Sequence, residues 1–267
     1  MTQSLEGKAA LVTGATSGIG AATARLFCER GAHVMLAGRN AEQGEQLARE
    51  LGDRASFTRT DVTSEQDIES AIAATVEQFG SLDVLFSNAG APTPGGVDTF
   101  TAEQFESAVN LLLRSVLFGI KHAAPIMKRQ GSGSIINNSS VAAHRSHMGG
   151  YLYSVAKAAV SHATRMAGIE LAAHGIRVNA ISPGGIATPI FYGGSGAATN
   201  LTDAHREAKN AKLLSNLAKA TPLRRAGLPE NIAEAAAFLA SDAASFVNCH
   251  DLVVDAGMIA GGRTNFE

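Results

Sequence analysis

Cysteine is almost missing from this chain: Cys28 and Cys249 are the only two among its 267 residues. Thiols so few and so far apart make no disulfide framework and point to a reducing compartment, so a cytoplasmic location is expected. A basic excess is missing too. Lys and Arg number 22 against 24 Asp and Glu, which argues against nucleic acid as a partner. No apolar run reaches membrane-spanning length, and Met1 to Gly7 lacks the charged and apolar regions of a signal peptide. Neither a membrane nor a secretory route is expected. No metal-ligand spacing occurs, and no repeat, low-complexity tract or interdomain linker interrupts the chain. What is plentiful is apolar residues, at 45%, and glycine, at 28. That composition fits a folded chain with a mostly buried sheet, and the length suits a single domain over residues 1–267.

The first punctuation falls early. Lys8 to Thr13 reads as a buried strand, because Ala9-Ala10-Leu11-Val12 is apolar throughout. It runs into Thr13-Gly14-Ala15-Thr16-Ser17-Gly18-Ile19-Gly20 and then an amphipathic helix to Arg30. Strand, glycine turn and helix let backbone N–H groups approach a pyrophosphate at the helix N-terminus. A second strand, His33 to Ala37, ends where the adenosine ribose of a dinucleotide would lie. A carboxylate there would accept the ribose 2′-hydroxyl, but the residues are Gly38-Arg39-Asn40. Gly38 leaves room, and Arg39 can fork onto a 2′-phosphate. NADP is therefore the expected cofactor, with NAD the alternative. After a short strand, Ala55 to Arg59, the turn Thr60-Asp61-Val62-Thr63 follows, and Asp61 can either touch the adenine edge or cap the turn.

Strands and helices go on alternating. Leu82 to Phe86 is a strand that leads into Ser87-Asn88-Ala89-Gly90. A long helix over Ala102 to Arg129 is apolar nearly all round, which implies burial on several sides, in part against another subunit. The strand Ser134 to Asn138 ends at Ser139-Ser140, and the next loop carries His144 and His147, which either line a pocket or are simply exposed. A helix from Gly150 to His174 precedes the strand Ile176 to Ile181 and its Pro183-Gly184-Gly185-Ile186-Ala187-Thr188 extension. The Gly-rich stretch after Phe191 and the polar helix Asp203 to Lys219 suit a substrate lid near 190–216. A helix over Pro229 to Leu239 and a strand over Leu252 to Asp255 complete the pattern. Such alternation implies an α/β fold of the Rossmann type: a doubly wound parallel sheet of about seven strands with helices on both faces. Sheets of this kind bind ligands at the carboxyl ends of their strands. Gly14, Arg39, Asn88, Ser140 and Pro183 all fall at such ends.

Tyr153 and Lys157 are four apart on the Ala-rich helix, hence on one face. A phenol titrates near pH 10, too high for acid–base work at neutrality. A neighbouring ammonium favours the phenolate, and a downward shift of about three units corresponds to roughly 4 kcal/mol. Ser140, at the end of a strand, can supply a hydroxyl to hold a substrate oxygen.

Taken together, these residues resemble the short-chain dehydrogenase/reductase family, and the resemblance covers nearly the whole chain. Thr13-Gly14 with Thr16, Ser17, Gly18, Ile19 and Gly20 is similar to the family's cofactor motif, and Asn88-Ala89-Gly90 to its sheet-stabilising motif. Ser140, Tyr153 and Lys157 match its catalytic set in type and spacing. Pro183, Gly184, Ile186 and Thr188 match its nicotinamide-side loop. The resemblance implies NAD(P)-dependent hydride transfer between an alcohol and a carbonyl, with Ser140 on the substrate oxygen and Tyr153 as general acid–base. Lys157 would lower the phenol's pKa and bind the nicotinamide ribose. Asp61 and Val62 would lie beside the nucleotide, and a homotetramer would form on the two long helices. Two positions depart from the pattern. Leu112 stands where the family carries an Asn, Asn110 being two residues out of register, and Ser17 fills a slot that is basic in one NADP-preferring pattern. Two other functions are compatible with the scaffold: a 3-oxoacyl-thioester reductase, and a catalytically weak nucleotide-binding regulatory protein.

Overall fold

The computed structural model describes residues 4–192 and 203–261. Among the described residues there are seven strands: β1 (Ala9–Thr13), β2 (His33–Gly38), β3 (Ala55–Arg59), β4 (Val84–Ser87), β5 (Gly133–Asn138), β6 (Ile176–Pro183) and β7 (Asp251–Val254). They form one sheet in the order β3-β2-β1-β4-β5-β6-β7, and every pairing is parallel. The helices are α1 (Gly18–Glu29), α2 (Ala41–Leu51), α3 (Glu65–Phe79), α4 (Ala102–Val109), α5 (Ser115–Gln130), α6 (Tyr151–Leu171), α7 (Asp203–Ala220) and α8 (Pro229–Ala240).

The two-residue period of a strand explains the two cores. On β1, Ala10 and Val12 point to one face and Leu11 to the other. Ala10 and Val12 join Phe27 of α1 and Ile232, Ala236 and Leu239 of α8. Leu11 joins Ile68 and Ile72 of α3, Ala123 and Met127 of α5 and Leu171. A strand buried on both faces must be apolar at every position, which is why β1 reads as a continuous run. Truncating a fully buried residue such as Leu11 should cost about 2–5 kcal/mol. Cys28 sits in the first core, where burial pushes its thiol up to about 12, and neither cysteine is bridged.

The order in which strands are added reverses at β1, whose neighbours are β2 and β4. At such a switch point the loops leave the strands to opposite sides and open a crevice.

The long helix expected over 102–129 is not continuous. α4 starts at a capping box made by Thr101 and Gln104. Asn110–Arg114 then forms a π turn before α5 resumes. The Ser115 N–H reaches back to the Asn110 carbonyl, and the Ser115 hydroxyl donates to the Leu111 carbonyl at 2.6 Å. The turn is wider than an α turn because the N–H reaches back five residues instead of four. The lid segment expected near 190–216 falls partly on residues 193–202, outside the described residues; its helical part is α7.

Candidate active site

The glycine turn between β1 and α1 is built for close approach. Gly14 has φ +65°, and a Cβ there would lie 2.9 Å from the Ala89 Cα; a Cβ on Gly20 would collide with the Gly14 carbonyl oxygen. Ser17 caps α1 in an extended conformation with no side-chain bond, and the first turn carries no acid, so the positive end of the helix faces the crevice. The end of β4 holds this turn in place. Asn88 donates from its main-chain N–H to the Thr13 hydroxyl and from Nδ2 to the Thr13 carbonyl, both at 2.9 Å. Ala89 N–H also donates to the Thr13 hydroxyl, at 3.2 Å. Asn138, the last residue of β5, donates from Nδ2 to Asn88 Oδ1 at 2.9 Å.

Above the strand ends lies a cleft of about 490 Å3. Gly14, Thr16, Ser17, Gly18 and Ile19 line it, with Gly38 and Arg39 from the end of β2, Asp61 and Val62 after β3, and Asn88, Ala89 and Gly90 after β4. Tyr153, Lys157 and Thr188 line its other end. Gly20 lies behind the turn rather than on the cleft surface. Thr16 covers Gly38 so closely that a Cβ at 38 would meet its methyl at 2.8 Å. Asp61 caps its turn: its Oδ1 accepts from the Thr63 N–H at 3.0 Å and the Thr63 hydroxyl at 2.8 Å. The bond from that N–H is the main cause holding the carboxyl below its usual range, against the opposing effect of partial burial; the hydroxyl, Arg39 and Arg59 add to it. A glycine cradle at a helix N-terminus fits a dinucleotide pyrophosphate, and the Arg39 end fits the adenosine side.

A second pocket, of about 360 Å3, opens on the other side of Tyr153. Its walls are Pro92, Thr93, Ser140, Val141, Met148, Ile190, Phe191, Leu217 and Met258. Pro183, Gly184 and Ile186, expected on the nucleotide, line this pocket, whereas Thr188 lines both. No charged side chain belongs to its described lining. Thr93 Oγ1 is buried there without a hydrogen-bond partner.

The three expected catalytic residues come together where the two pockets meet. Ser140 Oγ accepts from the Ala142 N–H at 3.1 Å, and its hydroxyl acts on the Tyr153 phenol in the direction of a lower pKa. Lys157 is 3% exposed; its Nζ lies 5.7 Å from the Tyr153 ring centre and donates to the Asn138 carbonyl at 2.6 Å. Burial lowers the ammonium to about 8. The phenol departs from expectation. Burial raises it above its ordinary value, and the Ser140 hydroxyl opposes that without cancelling it. The reason is geometric: the lysine is committed to a main-chain carbonyl, while apolar walls enclose the phenol, so desolvation of the phenolate dominates.

The histidines take no place on the pocket walls. His147 is exposed at φ +64°. His144 is exposed as a residue, but its Nε2 lies 3.0 Å from the Ser182 hydroxyl and 3.1 Å from Asp251 Oδ2. The side chain of Asp251 is 5% exposed and accepts from the hydroxyls of Ser182 (2.6 Å) and Ser161 (2.5 Å). Ser161 meets the Ser139 hydroxyl at 2.7 Å. This buried network ties β5, α6, β6 and β7 together directly behind Ser140 and Lys157. Its members lie up to 112 positions apart, so no local pattern announces them; the one hint is an acid at the start of an otherwise apolar strand.

Known proteins bear the same stamp. A family model described as enoyl-(acyl carrier protein) reductase matches residues 14–259. Cis-4-hydroxycyclohexanecarboxylate dehydrogenase of Sinomonas cyclohexanicum is 40% identical over 97% of this chain and 100% of its own length. Momilactone A synthase of Oryza sativa subsp. japonica is 41% identical over 95% of this chain and 90% of its own. The crystal structure of levodione reductase superposes with a TM-score of 0.85 at 33% identity, over 96% of this chain and 99% of that one. The chain belongs to the short-chain dehydrogenase/reductase family. It is an oxidoreductase of that type, and the family's cofactors are the nicotinamide dinucleotides.

Proposed function

We propose that this protein is an NADP(H)-dependent oxidoreductase that interconverts an alcohol and a ketone, with Tyr153 as the general acid–base. The observation that carries this is the placement of Tyr153 on the wall of both pockets, with Ser140 on the substrate side and Lys157 on the nucleotide side. When bound, the nicotinamide supplies or takes up the hydride. The protein's own part is to orient and to move one proton. Ser140 donates to the substrate oxygen and fixes it against the phenol. In ketone reduction Tyr153 gives its proton to that oxygen, and in alcohol oxidation it takes it back. Lys157 faces the phenol from the nucleotide side and stabilises the phenolate as it forms. Gly14 to Gly20 hold the pyrophosphate, Asp61 and Val62 flank the adenine, and Arg39 pairs with the 2′-phosphate.

The substrate we infer is neutral, moderately apolar and of single-ring size. An uncharged wall of Val141, Met148, Phe191, Leu217 and Met258 supports this. Ring compounds named in relatives, a hydroxycyclohexanecarboxylate and levodione, support the ring size, while the first of them is an anion and lends nothing to the neutral charge. A panel of cyclic and aliphatic alcohols and ketones, followed at the reduced-nicotinamide band, tests the reading. Turnover of neutral cyclic ketones with NADPH is expected, and nucleotide binding without turnover across the panel would overturn it.

We further propose a cytoplasmic homotetramer assembled on α5 and α6. Leu117, Val155, Met166 and Ile169 stand 43–70% exposed on these helices, an apolar surface that calls for cover. Sedimentation as a monomer at micromolar concentration would refute the assembly. Among the described residues no helix is long and apolar enough to cross a membrane.

A further inference from the structure

The loop that leaves Ser140 is fastened twice to the C-terminal part of the chain. It opens as a single 3-10 turn over Val141–Ala143. The Ala143 N–H donates to the Ser140 carbonyl at 2.9 Å, and the His144 and Arg145 N–H groups share the Val141 carbonyl at 3.0 Å. His144 fastens this turn to β6 and β7 through Ser182 and Asp251. The next side chain reaches further along the chain. Arg145 is exposed, and its Nη1 donates at 3.1 Å to the carbonyl of Met258, 113 positions away.

Met258 belongs to a turn that needs holding. Directly after β7, Ala256 has φ +56° and Gly257 φ +84°. An alanine in the left-handed region persists only where its surroundings fix it. Asp255 supplies part of that: its Oδ1 accepts from the Gly257 N–H at 2.7 Å and its Oδ2 from the Ile259 N–H at 2.8 Å. The Met258 carbonyl lies between these two bonds in the chain, and Arg145 takes it. The side chain of Met258 is a wall of the second pocket. Its methyl end lies over Gly185, 3.1 Å from where a Cβ would stand, and Leu217 Cδ2 is 2.6 Å from the same point. Glycine at 185 makes room for both. One short turn thus carries Ser140 at its start and, at its end, the guanidinium that holds Met258.

We propose that Arg145 is a positioning residue for substrate size: by holding the Met258 carbonyl it keeps the Met258 side chain over Gly185, and so keeps the second pocket narrow enough to favour a single ring. The inference rests on the reading above that this pocket takes the substrate. Arg145 is not among the residues described as lining the pocket, so it acts through Met258. Holding one carbonyl needs one donor rather than a fork, and a lysine can give that donor too.

The test measures kcat and KM with a monocyclic and a bicyclic ketone, and NADPH affinity by fluorescence. The variants are Arg145→Ala, Arg145→Lys, Met258→Ala, the double variant Arg145→Ala with Met258→Ala, and Met148→Ala. Arg145→Ala should raise KM for the monocyclic ketone by about threefold or more, with a smaller change in kcat, and move kcat/KM toward the bicyclic one. Met258→Ala should move that preference further, by about tenfold or more. The double variant should match Met258→Ala alone, because the clamp then has no side chain to place. Arg145→Lys should retain most of the wild-type preference, and NADPH affinity should stay nearly unchanged throughout. Equal losses for both ketones, effects that add in the double variant, or a lysine variant that behaves like the alanine one would each overturn the proposal and leave Arg145 as a surface tie. Met148→Ala separates the two readings, because Met148 lines the pocket and takes no part in the clamp. If it shifts the preference and Arg145→Ala does not, the clamp alone is refuted. If neither Met148→Ala nor Met258→Ala shifts it, the second pocket is not the substrate's, and both readings fall.

Discussion

The two pockets that share Tyr153 are made of different materials. The nucleotide cleft is largely main chain: a glycine turn, a helix N-terminus and strand ends braced by Asn88 and Thr13. The second pocket is side chain: Val141, Met148, Phe191, Leu217 and Met258, drawn from four separate segments. A backbone site is fixed by the fold and tolerates little change, whereas a side-chain site can be relined residue by residue without disturbing the sheet. Relatives at about 40% identity whose names carry different compounds fit that division.

The sharpest way to break the comparison is at the residue that belongs to both sides. Tyr153→Phe should lower kcat by about 10²–10⁴-fold or more and leave NADPH affinity nearly unchanged, as steady-state rates and fluorescence titration will report. Tyr151→Phe should do far less: its ring is half exposed and stacks on Phe100, 6.1 Å away.

Lys157 separates the sides by pH. Its folded value of about 8 lies below that of a free lysine, so the unfolded chain binds the extra proton between about pH 8 and 10.5. The penalty is fully present below that window, and stability rises with pH across it. The size is on the order of 3 kcal/mol. Without nucleotide, Lys157→Met should unfold at higher urea than wild type at pH 7, and the advantage should shrink by pH 10. Above pH 10 the raised phenol of Tyr153 works in the opposite direction.

On the nucleotide side alone, Arg39→Asp should weaken NADPH binding by about 1.5–3 kcal/mol while NADH loses little or gains. Wild-type kinetics that already prefer NADH would show the assignment to be wrong. The smallest effect belongs to Leu112→Asn in the wild-type background. We expect a change in kcat of no more than about tenfold, or 1.4 kcal/mol of barrier. A gain of several orders of magnitude would mean a chain crippled by nature and serving another role.

The same division explains what could be read from the sequence. Strands buried on both faces are apolar nearly throughout, so β1 and β4 stand out, and Gly14 to Gly20 mark a turn that side chains would block. Tyr153, Lys157 and Ser140 sit in one helix and at one strand end, which makes their meeting legible. The π turn was not legible, because Leu111-Leu112-Leu113 looks the same in either helix. Nor was the direction of the phenol's shift, which depends on how completely Met148, Ile190 and their neighbours enclose it. Leu217 and Met258 reach the pocket from distant segments, and His144 finds Asp251 107 positions away; spacing carries no trace of either. The extra length of β6, through Pro183, reflects pairing with β7 rather than any local propensity.

Asp251 also has a consequence for the order in which the protein comes to life. It is synthesised about a hundred residues after Tyr153, at a pace of roughly 5–20 residues per second. Until it emerges, Ser161 and Ser182 lack their shared acceptor, and the outer edge of β6 is unpaired. Phe27 of α1 shares its core with Ile232 and Leu239 of α8, so the first half of the sheet also closes only once α8 has emerged. Both pockets therefore wait for the end of the chain, with the C-terminal strand acting as the final latch.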